Sequence, residues 1–375
     1  LAIAVSILCG LVVHPRVYLL AGGLTLAVAV GVGWPWVTMR AVRGRIGFQA
    51  DRAVEGESVL VSAAFSNHLP WAARGVAIRK FDDESPDLAL DRLPALSTIH
   101  FVWQMTPMVR GEFPRERVAA ASAFPFGLRD ARRAVESERR LLVWPRTYPV
   151  GPPPVRGTEE DQEGRAHRNV AGSGGDVTGV RPYRPGDPVR RIHWRQTAKH
   201  DRLVVCERQA LTRDEILLVL DTRLDVHTPG RNGSAEWSIR IAASFARGWL
   251  EAGARVGLAW SGGAVPVASG AAQIPRVMDA LARIEFRSAG SFEEIVGSSI
   301  VRRARGVVVA ITSRLGAARL TAGACSNVRL VTLDSGGFSS APDRSSPADS
   351  WLDVPSPTEI PVLLKSGWKE ARHGG

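Results

Sequence analysis

The chain has 375 residues, which suits two or three domains rather than one and leaves ample length to bury a core. Its 48 basic residues against 37 acidic ones give a formal charge of +11, carried mostly by arginine; that balance suits an anionic membrane surface, nucleic acid or an acidic protein, and composition alone does not choose among them. Cys9, Cys206 and Cys325 are odd in number, widely separated and in no C-x-x-C pattern, which excludes a disulfide framework and a cysteine zinc site and fits a reducing compartment.

The chain opens on leucine rather than methionine, which leaves its true start open. Leu1–Val13 is apolar, His14-Pro15-Arg16 interrupts it, and Val17–Val37 is apolar and uncharged again. A helix over the second run measures about 31 Å at 1.5 Å per residue, enough for a bilayer core, whereas the first run reaches only about 20 Å. Residues 1–37 therefore read as a transmembrane helical hairpin with His14-Pro15-Arg16 at its turn. Trp34 and Trp36 stand where an interfacial aromatic belt belongs, and Arg40, Arg43 and Arg45 follow at once. The positive-inside rule then puts everything after Val37 in the cytoplasm, on a multi-pass protein of the cell inner (cytoplasmic) membrane.

Residues 46–148 change to short runs of period two. Val59, Val61, Ala63 and Phe65 share one face of a strand, Ile99, Phe101, Trp103 and Met105 one face of another, and Leu141–Trp144 is a third. Glu55-Gly56-Glu57, Asn67-His68-Leu69-Pro70 and Arg110-Gly111-Glu112 supply turns. Strands at this spacing without helix-period segments predict a β-sandwich, immunoglobulin-like in size. Residues 149–178 read as a linker rich in proline, glycine and charge. Its Gly172-Ser173-Gly174-Gly175 is no phosphate loop, because neither the Walker lysine nor a G-x-G-x-x-G spacing accompanies it.

Residues 179–208, from GVRPYRPGDPVRRIHW onward, carry the most specific signal. Pro185-Gly186 forms a turn, and Asp187 before Pro188 reads as an N-cap followed by proline at the first helical position. The expectation is a helix from Pro188 to about Ala198, a break at His200-Asp201, and a buried strand from Leu203 to Cys206. The arginines around Tyr183 and Trp194 outnumber the local acids. They serve as ties to neighbouring structure, as a binding surface or, least of all, in catalysis.

Arg181, Tyr183, Pro185, Gly186, Asp187, Arg190 or Arg191, Ile192, Trp194, Thr197 and Ala198 closely resemble the signature of the domain of unknown function 58 family, approximately R-x-Y-x-P-G-D-x-x-R-x-I-x-W. With His193, these are the candidate binding residues. The resemblance extends to a β-rich domain ahead of the signature, including Phe124-Pro125-Phe126-Gly127-Leu128 and Val143-Trp144-Pro145. It implies a bacterial membrane-anchored protein with a von Willebrand factor A-like domain, often encoded beside a MoxR-type AAA+ ATPase. It implies no known reaction.

In residues 209–375 strands and helices alternate. Ile216–Leu220 is a strand ending at Asp221, Glu236–Ala252 a helix burying Trp237, Ile241, Phe245 and Trp249, and Arg255–Trp260 a strand. Ile274–Phe286 reads as a helix, Val307–Ile311 and Val328–Leu333 as strands, Ser335–Ser350 as a loop and Pro361–Leu364 as a last short strand. The order predicts an α/β doubly wound, mostly parallel sheet, with ligands beyond the carboxyl ends of its strands at Asp221, Thr312-Ser313 and Asp334.

Metal-binding von Willebrand A-like domains carry D-x-S-x-S after their first strand. Here Asp221 is kept, but Arg223 and Asp225 replace the two serines. A guanidinium beside a dication is unfavourable, so a degenerate site without metal is expected, with a modified Asp221 and Asp225 site as the alternative. His193, His200 and Cys206 fit no zinc spacing, and no G-x-S-x-G elbow marks a nucleophile. No cofactor and no catalytic residue are assigned. The fold expected is thus multi-domain: transmembrane hairpin, β-sandwich, signature connector and α/β domain. The function expected is a membrane-anchored cytoplasmic scaffold or adaptor working with a MoxR-type ATPase and other membrane-associated proteins. The alternatives are a hydrolase-like enzyme using the strand ends, or a basic-surface nucleic-acid binder, which no recognised module favours.

Overall fold

The structure, a computed structural model, describes residues 5, 17–79, 88–115, 118–154, 177–184, 189, 192–208, 215–287, 292–298, 301, 304, 306–318, 328–334 and 350–366. It divides into two compact units, Leu1–Arg146 with Met278–Arg283, and Thr147–Val277 with Ile284–Gly375.

The first unit begins with helix α1 (Val17–Ala41), 25 residues and so about 37 Å long. It is long and apolar enough to cross a bilayer, and Leu19, Leu20, Leu24, Leu26 and Val28 along it are exposed. It runs four residues past the expected end at Val37, because Arg40 sits in its last turn, where a cation meets the negative end of the helix dipole. The first arm of the expected hairpin lies outside the described residues apart from Val5.

Strand β1 (Val42–Phe48) follows α1 with no residue between. Ten more strands follow among the described residues: β2 (Arg52–Val54), β3 (Val59–Asn67), β4 (Ala73–Arg79), β5 (Leu88–Leu93), β6 (Ser97–Met105), β7 (Gly111–Phe113), β8 (Ala119–Ser122), β9 (Ala131–Ala134), β10 (Glu136–Ser137) and β11 (Leu141–Trp144). They form sheets in the orders β10-β1-β3-β6, β5-β4-β8-β9 and β2-β11-β7. Alternation decides which residues face inward. Val59, Val61, Ala63 and Phe65 of β3 join Ile46 of β1, Val76 and Ile78 of β4, Phe113 of β7 and Leu141 and Val143 of β11 in one core, with Ile99, Phe101 and Trp103 of β6 packed on it.

In the second unit, β12 (Val177–Pro182), α2 (Trp194–His200) and β13 (Val204–Arg208) make up the signature. Then come β14 (Glu215–Leu220), α3 (Ser234–Glu251), β15 (Arg255–Trp260), β16 (Gly263–Ala268), α4 (Gln273–Arg283, which falls to the first unit from Met278 onward), α5 (Phe292–Val296), β17 (Val307–Ser313), α6 (Arg314–Ala318), β18 (Val328–Leu333), β19 (Leu352–Val354) and α7 (Ile360–Ser366). The sheet order is β16-β15-β14-β17-β18-β19, parallel throughout except for the antiparallel edge strand β16. Strands β14 and β17 are buried on both faces, which is why they read as unbroken apolar runs. Leu217 and Val219 pack with Phe292 and Val296 of α5 on one face. Trp237, Ile241, Phe245 and Trp249, spaced four apart, form the buried stripe of α3, with the Phe245 and Trp249 rings stacked at 4.5 Å.

Two elements after the signature segment differ in kind from expectation. Pro361–Leu364 belongs to α7 rather than a strand: Ile360 and Leu364 are fully buried and Val362 between them is exposed, a helical spacing. The last strand is instead Leu352–Val354, paired parallel to β18. The edge strand β16 follows β15 through a tight turn at Ser261 and Gly262; its Pro266 argues against a strand from sequence, and an edge position is where a strand accommodates proline.

Candidate functional site

Strand order reverses between β14 and β17, so the crevice at a switch point opens beyond their carboxyl ends. Parallel register sets Leu220 opposite Ile311, and Asp221 N donates to Ile311 O at 3.0 Å. The next residue on each strand is therefore Asp221 on one and Thr312 on the other. Asp221 is fully buried, and its carboxylate is fully engaged. Thr312 Oγ1 donates to Oδ2 at 2.6 Å, Arg223 Nη2 to Oδ2 at 2.8 Å, Arg223 Nε to Oδ1 at 3.0 Å and Arg223 N to Oδ1 at 3.2 Å.

The fork of Arg223 is thus seated bidentately on Asp221, with its guanidinium carbon 5.8 Å from the Phe292 ring centroid. The turn holding it is fixed by Thr222 O, which accepts from Arg287 N at 2.9 Å, and by Leu224 N, which donates to Arg287 O at 3.1 Å. Thr222 Oγ1 and Ser261 Oγ, from neighbouring strand ends, lie 2.6 Å apart. Gly316 of α6 closes over the group: a methyl there would meet Thr312 Oγ1 and come within 2.9 Å of Asp221 Oδ2.

This donor set does not fit a divalent cation, which takes oxygen ligands at roughly 2.0–2.6 Å and would have to displace a guanidinium from the same oxygens. Asp225, the other carboxylate of the alternative site, is exposed where Asp221 is buried. Among the described residues no three His, Cys, Asp or Glu side chains gather as metal ligands would.

The remaining strand ends form a second network. Arg314 donates to Asp353 through Nε at 3.1 Å and Nη2 at 2.6 Å, and to Asp334 through Nη1 at 2.7 Å. Thr332 Oγ1 adds a bond of 2.7 Å to Asp353. Ser313 Oγ accepts from Gly316 N at 3.0 Å. Asp221, Thr312-Ser313 and Asp334, singled out from sequence, therefore all stand at the predicted edge, each held by internal partners.

Two participants were not legible in the sequence. His227 Nδ1 lies 3.2 Å from Ser234 Oγ, while Thr228 N donates to the same oxygen at 2.9 Å and Ser234 N donates to Thr228 Oγ1 at 2.8 Å. Serine here latches the loop to the start of α3. Burial pushes the His227 pKa down to about 4 against the pull of Asp221, so the ring is neutral, and its Nε2 is buried without a partner. A histidine directly before Thr228-Pro229-Gly230 was the available signal.

The signature is a hairpin crossed by a short helix. Strands β12 and β13 pair antiparallel, Arg181 opposite Val205 and Pro182 opposite Val204, and Tyr183 N donates to Leu203 O at 2.9 Å. Ile192 forms a bridge with Val205, so its backbone is extended and α2 starts only at Trp194; the helix expected from Pro188 is shorter because the sheet takes Ile192. His193 is the N-cap, its Nδ1 accepting from Gln196 N at 3.3 Å. Thr197 Oγ1 accepts from Val204 N at 3.1 Å, and Asp201 ends the helix in the left-handed conformation. Ile192, Val204 and Val205 are buried, whereas Trp194 is 65% exposed and Arg195, Lys199 and Arg202 are exposed around it. Pro185, Gly186, Asp187, Arg190 and Arg191, including the Asp187 cap, lie outside the described residues, as does most of the 149–178 linker.

Residues 179–327 match a family model described as protein of unknown function DUF58. No curated protein matches the chain. Among solved structures, the CARDB domain of a Pyrococcus furiosus protein is 11% identical over 26% of this chain and 94% of its own, with a TM-score of 0.19. The alkylpurine DNA glycosylase AlkC of Pseudomonas fluorescens, bound to DNA containing an abasic site analogue, is 13% identical over 29% of this chain and 36% of its own, at 0.17. The sporulation control protein Spo0M of Bacillus subtilis is 12% identical over 38% and 58%, at 0.18. TM-scores this low do not establish a shared fold.

Proposed function

We propose that the chain is a membrane-anchored scaffold or adaptor, built from a spanning helix, an immunoglobulin-like β-sandwich and a von Willebrand factor A-like domain, that engages a MoxR-type AAA+ ATPase on its cytoplasmic side. The observation carrying this reading is the bidentate Arg223–Asp221 pair, in which a protein cation takes the place that a metal takes in metal-binding members of that fold. A strand-end carboxylate neutralised from within holds the crevice together rather than offering open coordination, so partners are engaged through surface side chains. Trp194 on α2, flanked by Arg195, Lys199 and Arg202, supplies such a surface, with an aromatic anchor for affinity and a basic rim suited to an acidic partner face. Arg40 in the last turn of α1 and Arg43 and Arg45 just beyond it favour the cytoplasmic orientation.

The test is affinity purification of the full chain from cross-linked membranes, followed by identification of bound proteins, for the native sequence, Trp194→Ala and Arg195→Ala. The expected result is an AAA+ ATPase recovered with the native chain and lost with both variants, at unchanged melting temperature. Recovery of no ATPase with the native chain, or equal recovery with all three, would overturn the proposal.

A further inference from the structure

Three loops of the first unit carry exposed apolar side chains at the end where α1 enters the sheet. Asn67, buried at the end of β3 opposite Val42, organises two of them. Its amide nitrogen donates to the carbonyls of Trp71 at 2.8 Å, Leu93 at 3.2 Å and Pro94 at 2.8 Å, and its oxygen accepts from Leu69 N at 3.0 Å. Leu96 N in turn donates to Leu69 O at 3.0 Å. This scaffolding holds Trp71 and the strongly exposed Leu96 beside the helix exit, where His68 N donates to Ala41 O at 3.3 Å. Leu96 is held at φ 47°, a left-handed conformation uncommon for leucine, so a large apolar side chain is kept in the open at a backbone cost.

The third loop is Ala123–Leu128. Gly127 N donates to Ala123 O at 2.8 Å in a tight turn with Gly127 at φ 69°, and Phe126 and Leu128 on either side are each 57% exposed. Both lean on α1: a methyl at Gly31 would lie 2.6 Å from Leu128 Cδ1 and 3.0 Å from Phe126 Cδ2. Glycine at this position lets the loop touch the helix backbone. Lower on the helix, Trp71 stacks on Trp34 with centroids 5.5 Å apart, and Arg133 Nη1 donates to the carbonyls of Met39 and Arg40 at the helix end.

Helix arithmetic converts these contacts into depth. Gly31 precedes Trp34 and Trp36 by three and five residues, so it lies about 5–8 Å beyond them along α1. If the two tryptophans mark the interface, the side chains resting on Gly31 are inside the apolar layer, within the roughly 5–10 Å typical of surface-inserted elements. The junction allows no retreat, since β1 begins at the residue after α1 ends. Exposed Arg40, Arg74 and Arg129 lie near the same loops, a charge pattern suited to anionic headgroups.

We propose that the β unit is itself a lipid-inserted body, with Phe126, Leu128, Leu96 and Trp71 entering the same leaflet as α1 and the flanking arginines meeting acidic headgroups. This rests on the reading of α1 as a membrane span. It gives the β unit a fixed pose on the bilayer rather than the role of a spacer on a stalk.

The experiment uses the full chain with Cys9, Cys206 and Cys325 replaced by serine, in vesicles of phosphatidylcholine and phosphatidylglycerol. Single cysteines at Phe126→Cys, Leu128→Cys and Leu96→Cys carry an environment-sensitive fluorophore, quenched by acyl-chain spin labels or by aqueous iodide. Val28→Cys on α1 and Ser58→Cys are the references, the latter about 27 Å away along the nine residues of β3. The expected result is lipid quenching at 126 and 128 within about twofold of that at 28 and at least about fivefold above that at 58, with weak iodide quenching. Lipid quenching at 126 and 128 no greater than at 58, while 28 is quenched, overturns the proposal and leaves the span intact. No lipid quenching at 28 removes the span and the proposal together. Protection of 126 and 128 from both quenchers means that a protein surface covers the loops, and also overturns it.

Discussion

Replacing Arg223 by alanine tests the reading of the sheet crevice most directly. Asp221 is completely buried, and the Arg223 side chain is 11% exposed at 2.8 Å from it. Removing one member of so buried a pair leaves a carboxylate with Thr312 and the Arg223 backbone N–H as its remaining donors, at a cost of about 3–5 kcal/mol. For a unit of this size that corresponds to a fall of roughly 6–20 °C in melting temperature. Asp221→Asn together with Arg223→Ala should recover part of the loss, because the charge that needed the partner is gone; a coupling of about 1–3 kcal/mol is expected from the full cycle. The assay is thermal unfolding of the soluble fragment after α1, with titration calorimetry against Mg²⁺ and Mn²⁺ alongside. The native fragment should show no saturable heat, whereas Arg223→Ser, which restores a hydroxyl, opens the Asp221 oxygens to a cation. A native isotherm that saturates and disappears in Asp221→Ala would refute the argument, as would an Arg223→Ala variant as stable as the parent.

Two further predictions concern the same region. Gly316→Ala drives a methyl into Thr312 and Asp221 and should cost about 1–3 kcal/mol by overpacking, read as a lower midpoint in urea, whereas Gly270→Ala, whose methyl would meet no atom within 4 Å, measures the backbone cost alone. The buried, neutral His227 sets a pH dependence. Its folded pKa of about 4 lies below the ordinary 6.5, so the unfolded chain takes up the proton first and stability falls as pH drops from about 6.5 towards 4, by up to about 3 kcal/mol, with no contribution to the slope above 6.5. The native protein should lose more stability across that window than His227→Gln, and equal slopes would count against the assignment.

What the sequence determined by itself lies close in the chain. An uncharged apolar stretch made α1 legible. Alternation in Val59–Phe65 and Ile99–Met105 marked the inward faces of β3 and β6, and four-residue spacing marked the buried stripe of α3. Burial is written in these periods because each side chain's direction follows from its own backbone. That a guanidinium stands two residues after Asp221 was readable too, as an argument about charge on neighbouring residues. Tertiary structure decided the rest. That Asp221 also meets the hydroxyl of Thr312, 91 residues away, is decided by the parallel register of β14 and β17. Ile360–Ser366 is a helix because tertiary packing buries Ile360 and Leu364, positions that would share a face in either state. The gathering of Trp71, Leu96 and Phe126 at the end of the unit where α1 enters has no sequence signal, because the three lie on separate loops: the pairing of β1, β3 and β6 with the bonds of Asn67 places the first two, and the pairing of β4, β8 and β9 places the third. Contacts between distant segments are set by strand order and register, and a one-dimensional pattern records the face a residue presents but not the residue it meets.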